Sequence, residues 1–456
     1  MKLKEVIYNE IDEHSVCGEP PQLGIKFSAS ESPKTLEKIE STNLNVLSLF
    51  SGCGGMDLGF EGGFNILKSS LNEMLTPHYI DSYVDENQIK LKPTLFKTVF
   101  ANDILGDARN AWVNHFKKKG YSPDLFHTDS IVDLVKLHKS GINVFPDNID
   151  VVTGGFPCQD FSIAGKRNGF DSHKNHHGKL INNASEETRG KLYMWMKEVI
   201  EITKPKIFIA ENVKGLVNLS NVKEIIQNDF SSIGKNGYLV LNPRVLHAAD
   251  YGVPQSRERV IFIGIKKSAL KKSVLKELEK ESISEKFNPY PKPTHAHTSK
   301  ESNLKSAVQL KDIFRILEEP EKSMDLSQKY FSKAKYMGAH CQGQIEVKLN
   351  GIAPTIRAEH HGNIEFRRLS LENGGVYNDE FSKGWNQRRL TPRECALIQT
   401  FPLDYEFVIE SITGRKGSFL VSPSQAYKII GNAVPPLLAY HIAKRLEEVW
   451  DLYFKK

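Results

Sequence analysis

Cys158 lies in the stretch DVVTGGFPCQDFS, where an apolar run ends at Gly154 and Gly155 and the cysteine directly follows Pro157. A cysteine that serves structure alone is usually buried among apolar side chains, whereas this one is followed by Gln159 and Asp160 in a loop-like, polar setting. A thiol with an ordinary pKa of roughly 8.5 becomes a nucleophile when a positive or hydrogen-bonding environment favours its thiolate. Arg257 and Arg259 are candidates to supply that environment. They alternate just before the apolar end of YGVPQSRERVIFIGI, so in an extended segment they project from one face; a solvated basic edge is the other reading. Glu211 closes the apolar run of PKIFIAENVKGL. There, burial without partners raises a carboxyl's pKa and makes it a proton donor, while a cap or an ordinary ion pair is the plainer alternative.

A second group of residues has the types needed to hold a ligand. NVLSLFSGCGGMDLGF reads as a strand, a glycine turn and a helix start, with Gly52, Gly54 and Gly55 allowing close approach to the backbone. The dinucleotide pattern GxGxxG fails because Asp57 stands where its third glycine would be, which disfavours a nicotinamide-dependent oxidoreductase. Asp103 in VFANDI and Asp129 in FHTDSI follow the next two apolar runs. Carboxylates there accept hydrogen bonds from a ribose or an adenine amine, and each alone also suits a helix N-cap.

These residues need a frame that brings them to one edge. Strands are expected at Val46 to Phe50, Thr98 to Ala101, Asp124 to His127, Ile149 to Thr153, Ile207 to Ala210, Leu239 to His247 and Val260 to Ile265, with helix-like stretches between them. Continuous apolar runs alternating with helices indicate an α/β core with a mainly parallel sheet buried on both faces. Ligands of such sheets bind beyond the carboxyl ends of the strands, where the residues named above fall. KLYMWMKEVI reads as a helix packed into the core. From about Lys266 to Gln387 the alternation gives way to polar, Pro-containing sequence, and amphipathic periodicity returns after it. The expected division is an N-terminal extension (1–44), a catalytic domain (45–289), a smaller domain (290–387) and a C-terminal segment returning to the first lobe (388–456).

The chain has 456 residues, 39% hydrophobic and 25% charged, and a net charge of +6. No apolar run reaches the ~20 residues that span a bilayer, and the mixed-charge start MKLKEVIYNEIDEH lacks a secretory core, so a cytoplasmic protein without membrane contact is expected. The mild basic excess is compatible with a polyanionic partner and does not prove one. Five scattered cysteines without CxxC spacing suggest neither disulfides nor zinc; Cys53, Cys341 and Cys395 read as structural. The histidines of DSHKNHHGK and EHHG lack complementary ligand spacing, so no metal is expected.

The stretches LSLFSGCGGMDLGF, GGFPCQDFS, TRGKLY, AENVKGL, YGVPQSRERVIFIGI, RRLTPRECALIQTFP and YKIIGNAVPP, in this order, resemble the DNA cytosine-5 methyltransferase family from Leu44 onward. The resemblance implies a Rossmann-like S-adenosylmethionine-dependent methyltransferase fold with a mixed, mainly parallel seven-stranded sheet, and a target-recognition domain at 290–387. It implies S-adenosyl-L-methionine as cofactor, bordered by Phe50, Ser51, Gly52, Gly54 and Gly55. Asp103 would lie near the ribose, Asp129 near the adenine amine, and Asn432 and Ala433 would close the pocket. Cys158 matches the nucleophile, with Pro157, Glu211, Gln255, Arg257 and Arg259 completing the catalytic set. Duplex DNA would be met by Gln159, Ser162, Arg189, Gln342, Thr355 and Arg357, under a closing loop at Phe161 to Arg189. A monomeric, protective methylase of a restriction-modification system is the implied role. A tRNA-methylating enzyme with the same core and a binding module that has lost catalysis are the alternatives; intact Cys158, Glu211 and Arg259 count against the latter.

Overall fold

Successive residues of the apolar runs enter two separate cores. Val46 belongs to one and Leu47 to the other, and Val151/Val152 and Ile207/Phe208 divide in the same way. Alternate side chains of a strand point to opposite faces, so a sheet covered on both sides needs apolar residues at every position. The chain is seen in a computed structural model that describes residues 43–157, 192–218, 222–234, 237–298, 301–338, 344–358, 365–376, 378–412 and 417–455.

The strands in chain order are β1 (Leu44–Leu49), β2 (Asn65–Leu67), β3 (Ile80–Tyr83), β4 (Gln88–Leu91), β5 (Phe96–Asn102), β6 (Phe126–His127), β7 (Val151–Gly154), β8 (Ile207–Val213), β9 (Tyr238–Val240), β10 (Arg244–His247) and β11 (Glu258–Lys266). The central sheet runs β10-β11-β8-β7-β1-β5-β6, with β9 also paired to β11. Strands β6, β5, β1, β7 and β8 are parallel, and β11 is antiparallel to β8. Strand β1 lies between β5 and β7, so the winding reverses there and opens a crevice at the carboxyl ends.

Three expectations change in detail. The single strand predicted at Leu239 to His247 is two, β9 and β10. Both lie along one edge of β11, opposite Gly264–Lys266 and Glu258–Ile261 respectively, and Pro243 between them has no N–H to give to a ladder. The sheet thus has eight strands in seven lateral positions. The strand predicted from Asp124 shrinks to Phe126–His127, because Pro123–Leu125 forms a 3-10 turn in which the Ser122 hydroxyl accepts from the Asp124 N–H. Between the strands expected at Val46 to Phe50 and Thr98 to Ala101, where no other strand is expected, the chain carries β2, β3 and β4 as a small antiparallel sheet.

The principal helices are α1 (Gly55–Glu61), α2 (Gly106–Phe116), α3 (Ile131–Lys139), α4 (Leu192–Thr203), α5 (Val222–Ser231), α6 (Pro392–Ile398), α7 (Pro423–Asn432) and α8 (Pro436–Tyr453). Helix α4, the predicted KLYMWMKEVI helix, buries Leu192, Trp195, Met196, Val199 and Ile200, one stripe at helical spacing. Helices α6 and α7 each start with proline after a capping box, Thr391 with Glu394 and Ser422 with Gln425. Helix α8, near the end of the described chain, packs on α1. A Cβ on Gly59 of α1 would lie 2.4 Å from the Pro436 carbonyl oxygen and from Ala439 Cβ of α8. In the outer part of the insertion, by contrast, a small apolar cluster holds only Phe366 and Leu369 as buried members. Arg368 bridges Glu319 (2.6 Å) and Glu380 (3.1 Å), Arg388 bridges Glu319 (3.1 Å) and Glu394 (2.8 Å), and Arg367 meets Glu380 at 2.6 Å.

Behind the glycine turn, Asp57 is buried; it accepts hydrogen bonds from Ser48 Oγ and from Trp112 Nε1, the latter at 2.7 Å. Burial pushes its carboxyl up from 3.8 to about 7, against the hydrogen bonds from Ser48 and Trp112. The folded chain keeps this proton up to about 7 while the unfolded chain releases it near 3.8, so the residue's contribution to stability falls as pH rises through that window. Urea unfolding at about pH 5 and about pH 8 should therefore show Asp57→Asn losing less stability over the interval than wild type; equal losses would contradict a buried, proton-binding Asp57.

Candidate active site

A cavity of about 440 Å³ opens at the carboxyl ends of β1, β5, β7 and β8. One end is walled by the Phe50–Gly52 turn, Asp103, Ile104 and Ile131, and the other by Pro157, Glu211 and Arg259, with Asn432 and Ala433 over it. Residues from widely separated segments thus converge as the sheet topology requires. A larger groove of about 610 Å³ lies beside Trp385 in the insertion, but it contains none of the predicted site residues.

The cofactor-side wall is shaped by backbone. Phe50 and Gly52 adopt left-handed conformations, φ 52° and 55°, and space beyond the Gly52 Cα is open, so a ligand can lie directly on the turn. Asp103 accepts from the Gly52 N–H at 3.0 Å and from the Leu105 N–H at 2.9 Å, which fixes its carboxylate at the rim. Ser51 Oγ donates to Ser48 Oγ at 2.9 Å and accepts from the Asn102 N–H at 3.1 Å. A carboxylate beside the aliphatic Ile104 and Ile131 suits the ribose and purine of a nucleoside, so the residues fit an adenosyl cofactor. Gly54 and Gly55 do not line the cavity. A Cβ on Gly54 would meet Trp112 at 2.6 Å, and one on Gly55 would meet the Val434 carbonyl oxygen at 2.2 Å, so they permit packing behind the turn. Asp129 also stands back; its carbonyl accepts from Asn102 Nδ2 at 2.8 Å, and the following Ser130 and Ile131 face the cavity.

At the other end, Glu211 and Arg259 come together through strand register. Glu211 lies opposite Ile261 in the β8–β11 pair, and Arg259, two residues earlier, is its diagonal neighbour on the same face. Arg259 Nε meets Glu211 Oε1 at 2.7 Å, and both side chains are nearly buried. Burial pushes the Glu211 carboxyl above the usual range, opposed by Arg259 and then Arg257. Gly155 leaves room beside it, since a Cβ there would stand 2.7 Å from Glu211 Oε2 and push the carboxylate aside. Asn212 Nδ2 donates to the Phe156 carbonyl at 3.1 Å, tethering the segment that leads to residue 158. Asn212 escaped the sequence analysis, where only its position directly after Glu211 marked it.

Arg257 and Gln255 correct the expectation that they join Arg259 at the reacting face. Arg257 precedes β11, is buried, and donates to the carbonyls of Ile356 (3.0 Å), Gly431 (3.0 Å) and Ala433 (2.7 Å). Gln255 accepts from the Ile356 N–H and donates to Gln399 Oε1, both at 3.0 Å. Unsatisfied buried polar groups are costly, so Arg257 is directed to backbone carbonyls and Gln255 to the Gln399 amide and the Ile356 N–H. Thr355 Oγ1 donates to the Ser256 carbonyl, and Arg357 leads away over Gly431, where a Cβ would lie 2.3 Å from the Arg357 carbonyl carbon. Cys53 and Cys395 are buried, in line with structural roles. Cys158, Gln159, Ser162, Arg189, Gln342 and Cys341, the closing loop at Phe161 to Arg189 and both histidine clusters lie outside the described residues. Among the described residues no group of three or more His, Cys, Asp or Glu could hold a metal ion, and no helix is long and apolar enough to cross a membrane.

Residues 44–448 match the family model for C-5 cytosine-specific DNA methylases. Type II methyltransferase M.BspRI of Lysinibacillus sphaericus is 31% identical over 430 residues, covering 91% of this chain and 84% of the relative. Type II methyltransferase M.BsuRI of Bacillus subtilis is 29% identical over 427 residues, covering 91% and 83%. Among solved structures, the Entamoeba histolytica methyltransferase EhMeth is similar in fold, with a TM-score of 0.50, 17% identity and coverage of 91% of this chain and 99% of that one. A strand-end cavity shaped for an adenosyl cofactor, a buried acid–arginine pair and a family match over nearly the whole chain agree: the chain belongs to the C-5 cytosine-specific DNA methylases, which take their methyl group from S-adenosyl-L-methionine.

Proposed function

We propose that the cavity methylates a cytosine rotated out of duplex DNA through a transient bond between Cys158 and ring carbon C6. The observation that carries this reading is the Glu211–Arg259 pair, buried at 2.7 Å in the same cavity as the Phe50–Gly52 turn. Pro157 lines that cavity, and Cys158 is the residue that follows it in the chain. Bound S-adenosyl-L-methionine supplies an electrophilic methyl group. Phe50, Ser51, Gly52, Asp103, Asn432 and Ala433 hold and orient it, with Gly54, Gly55 and Asp129 supporting the turn and rim.

The Cys158 thiolate adds to C6, and Glu211, whose carboxyl burial pushes above the usual range, gives a proton to N3, so that the ring does not carry the added electron pair as charge. Carbon C5 becomes nucleophilic and takes the methyl group, leaving S-adenosyl-L-homocysteine; water takes the C5 proton, the C6–S bond breaks to restore aromaticity and the thiolate, and N3 returns its proton to Glu211. Arg259 holds Glu211 against the ring edge, while Gln255 and Arg257 act as positioning residues. A stacked base cannot present C6 to a thiol, and turning it out costs a few kcal/mol, which contacts from Gln159, Ser162, Arg189, Gln342, Thr355 and Arg357 would offset. The insertion at 290–387 serves as target-recognition domain between the catalytic domain (45–289) and the returning segment (388–456). The type II relatives support a protective methylase of a restriction-modification system over the tRNA alternative; we take it to act as a cytoplasmic monomer.

Bisulfite sequencing of DNA from cells expressing the protein should show 5-methylcytosine in one sequence context; unmodified DNA alongside methylated tRNA would reverse the substrate. Cys158→Ser should lose methylation while keeping DNA binding, and duplex containing 5-fluorocytosine should trap wild type as a denaturation-resistant adduct, because fluorine cannot leave as a proton does. Absence of the adduct from an active enzyme excludes attack by sulfur. Glu211→Gln should lower kcat by roughly 10²–10⁴-fold and abolish the decline in kcat as pH rises through the raised Glu211 pKa. Gly155→Ala should cost about tenfold or more in kcat by displacing the Glu211 carboxylate, with little change in thermal unfolding; unaltered turnover would show that the carboxylate's setting is not critical.

A further inference from the structure

Gln399, the residue following α6, has no place in the reaction as described, yet it is fully buried and its side-chain amide is used on two sides. Its Oε1 accepts from Gln255 Nε2 at 3.0 Å, and Gln255 Oε1 in turn accepts from the Ile356 N–H at 3.0 Å. Its Nε2 donates to the Ile430 carbonyl at 2.9 Å and the Ala433 carbonyl at 3.4 Å. The first side ends on the segment carrying Thr355 and the second on the rim of the cofactor cavity around Asn432. Arg257 runs parallel to this relay, joining the Ile356 carbonyl to those of Gly431 and Ala433.

Amide geometry gives the arrangement a direction. The oxygen of Gln399 can only accept and its nitrogen can only donate, so a rotation that suits one segment strands a buried group on the other. Neither segment can leave its place without breaking a hydrogen bond of the Gln255–Gln399 relay, and both glutamines are fully buried, so a group left unpaired there is costly. Gln255 is also bridged to Ala353 through the backbone, with the Ala353 N–H donating to the Pro254 carbonyl at 2.9 Å and the Ser256 N–H to the Ala353 carbonyl at 2.8 Å. The Thr355 segment is therefore aligned along the Pro254–Ser256 stretch, and Gln399 sets where that stretch sits relative to the cofactor rim.

We infer that Gln399 is a positioning residue that couples the two substrates: cofactor settled against Asn432 and Ala433 favours the Thr355 segment in its DNA-binding position, and bound DNA favours the cofactor rim in return. This rests on the roles proposed above for Asn432 and Thr355. Coupling between sites is reciprocal and commonly changes affinity about 5–150-fold, so it is measurable without turnover.

The test uses the full-length protein, S-adenosylhomocysteine as a non-reacting probe, and a labelled duplex carrying the site found by bisulfite sequencing. Wild type should bind the duplex at least about fivefold more tightly with the probe than without it. Gln399→Met, which keeps the length of the side chain and removes its hydrogen bonds, should bring this ratio close to one, while the affinity for the probe without DNA changes far less. Gln399→Glu retains the acceptor toward Gln255 and loses the donor toward Ile430 and Ala433, so it should also lose coupling even if the methionine variant fails to fold. Gln255→Met combined with either variant should cost no further coupling. A wild-type ratio of one, an undiminished ratio in a folded Gln399 variant, or additive losses in the double variant would each overturn the inference. Failure of wild type to methylate cytosine at all would instead overturn the reading on which it rests.

Discussion

The chemistry depends on keeping a carboxyl group in a nearly dry place where it still has one firm partner. Glu211 lies near the end of a strand whose preceding residues, Ile207 to Ala210, face two apolar cores, and Arg259, brought alongside by antiparallel register, is the ion-pair partner that first offsets its burial. Such a group is poised: desolvation favours the proton and the guanidinium favours the charge. A small change in its surroundings, such as the arrival of a ring nitrogen, is enough to shift that balance. Gly155 on the neighbouring strand leaves the room this requires, so a missing side chain is as much a part of the site as those present.

The frame explains why acid, turn and rim meet. Winding reverses at β1, and every segment of the cavity leaves the sheet at the same edge. The cofactor turn is bent through left-handed residues at Phe50 and Gly52 and is braced from behind by Ser48, Ser51 and Asp57. The rim comes from the far end of the chain, brought back by α8 against α1 at the close contact of Gly59 with Ala439. Cofactor and base therefore share walls built by residues hundreds of positions apart.

Much of this was legible because it follows from local chemistry. Runs buried on both faces announce themselves as unbroken apolar stretches, and the ligand-holding residues fall where those runs stop. The two arginines near β11 show the limit. Alternation predicts one face for Arg257 and Arg259, but the strand begins only at Glu258, and the earlier side chain turned toward carbonyls supplied from Ile356 to Ala433. The purpose of Gln399 was equally hidden, since a glutamine after an amphipathic helix has no spacing that distinguishes it until distant segments are folded around it. The sheet formed by β2, β3 and β4 went unread because its strands are short and their exposed faces are polar.

The charged frame of the insertion has a consequence for how such a module can change. Glu319, despite burial, is held down to about 2 by Arg368 and Arg388, so it stays ionised at any pH a cell meets. Removing one partner of a buried pair leaves an uncompensated charge, whereas segments strung between intact corners lengthen at little entropic cost. The corner residues are thus confined to their types, while the stretches between them can change in length and sequence without disturbing the frame that holds them.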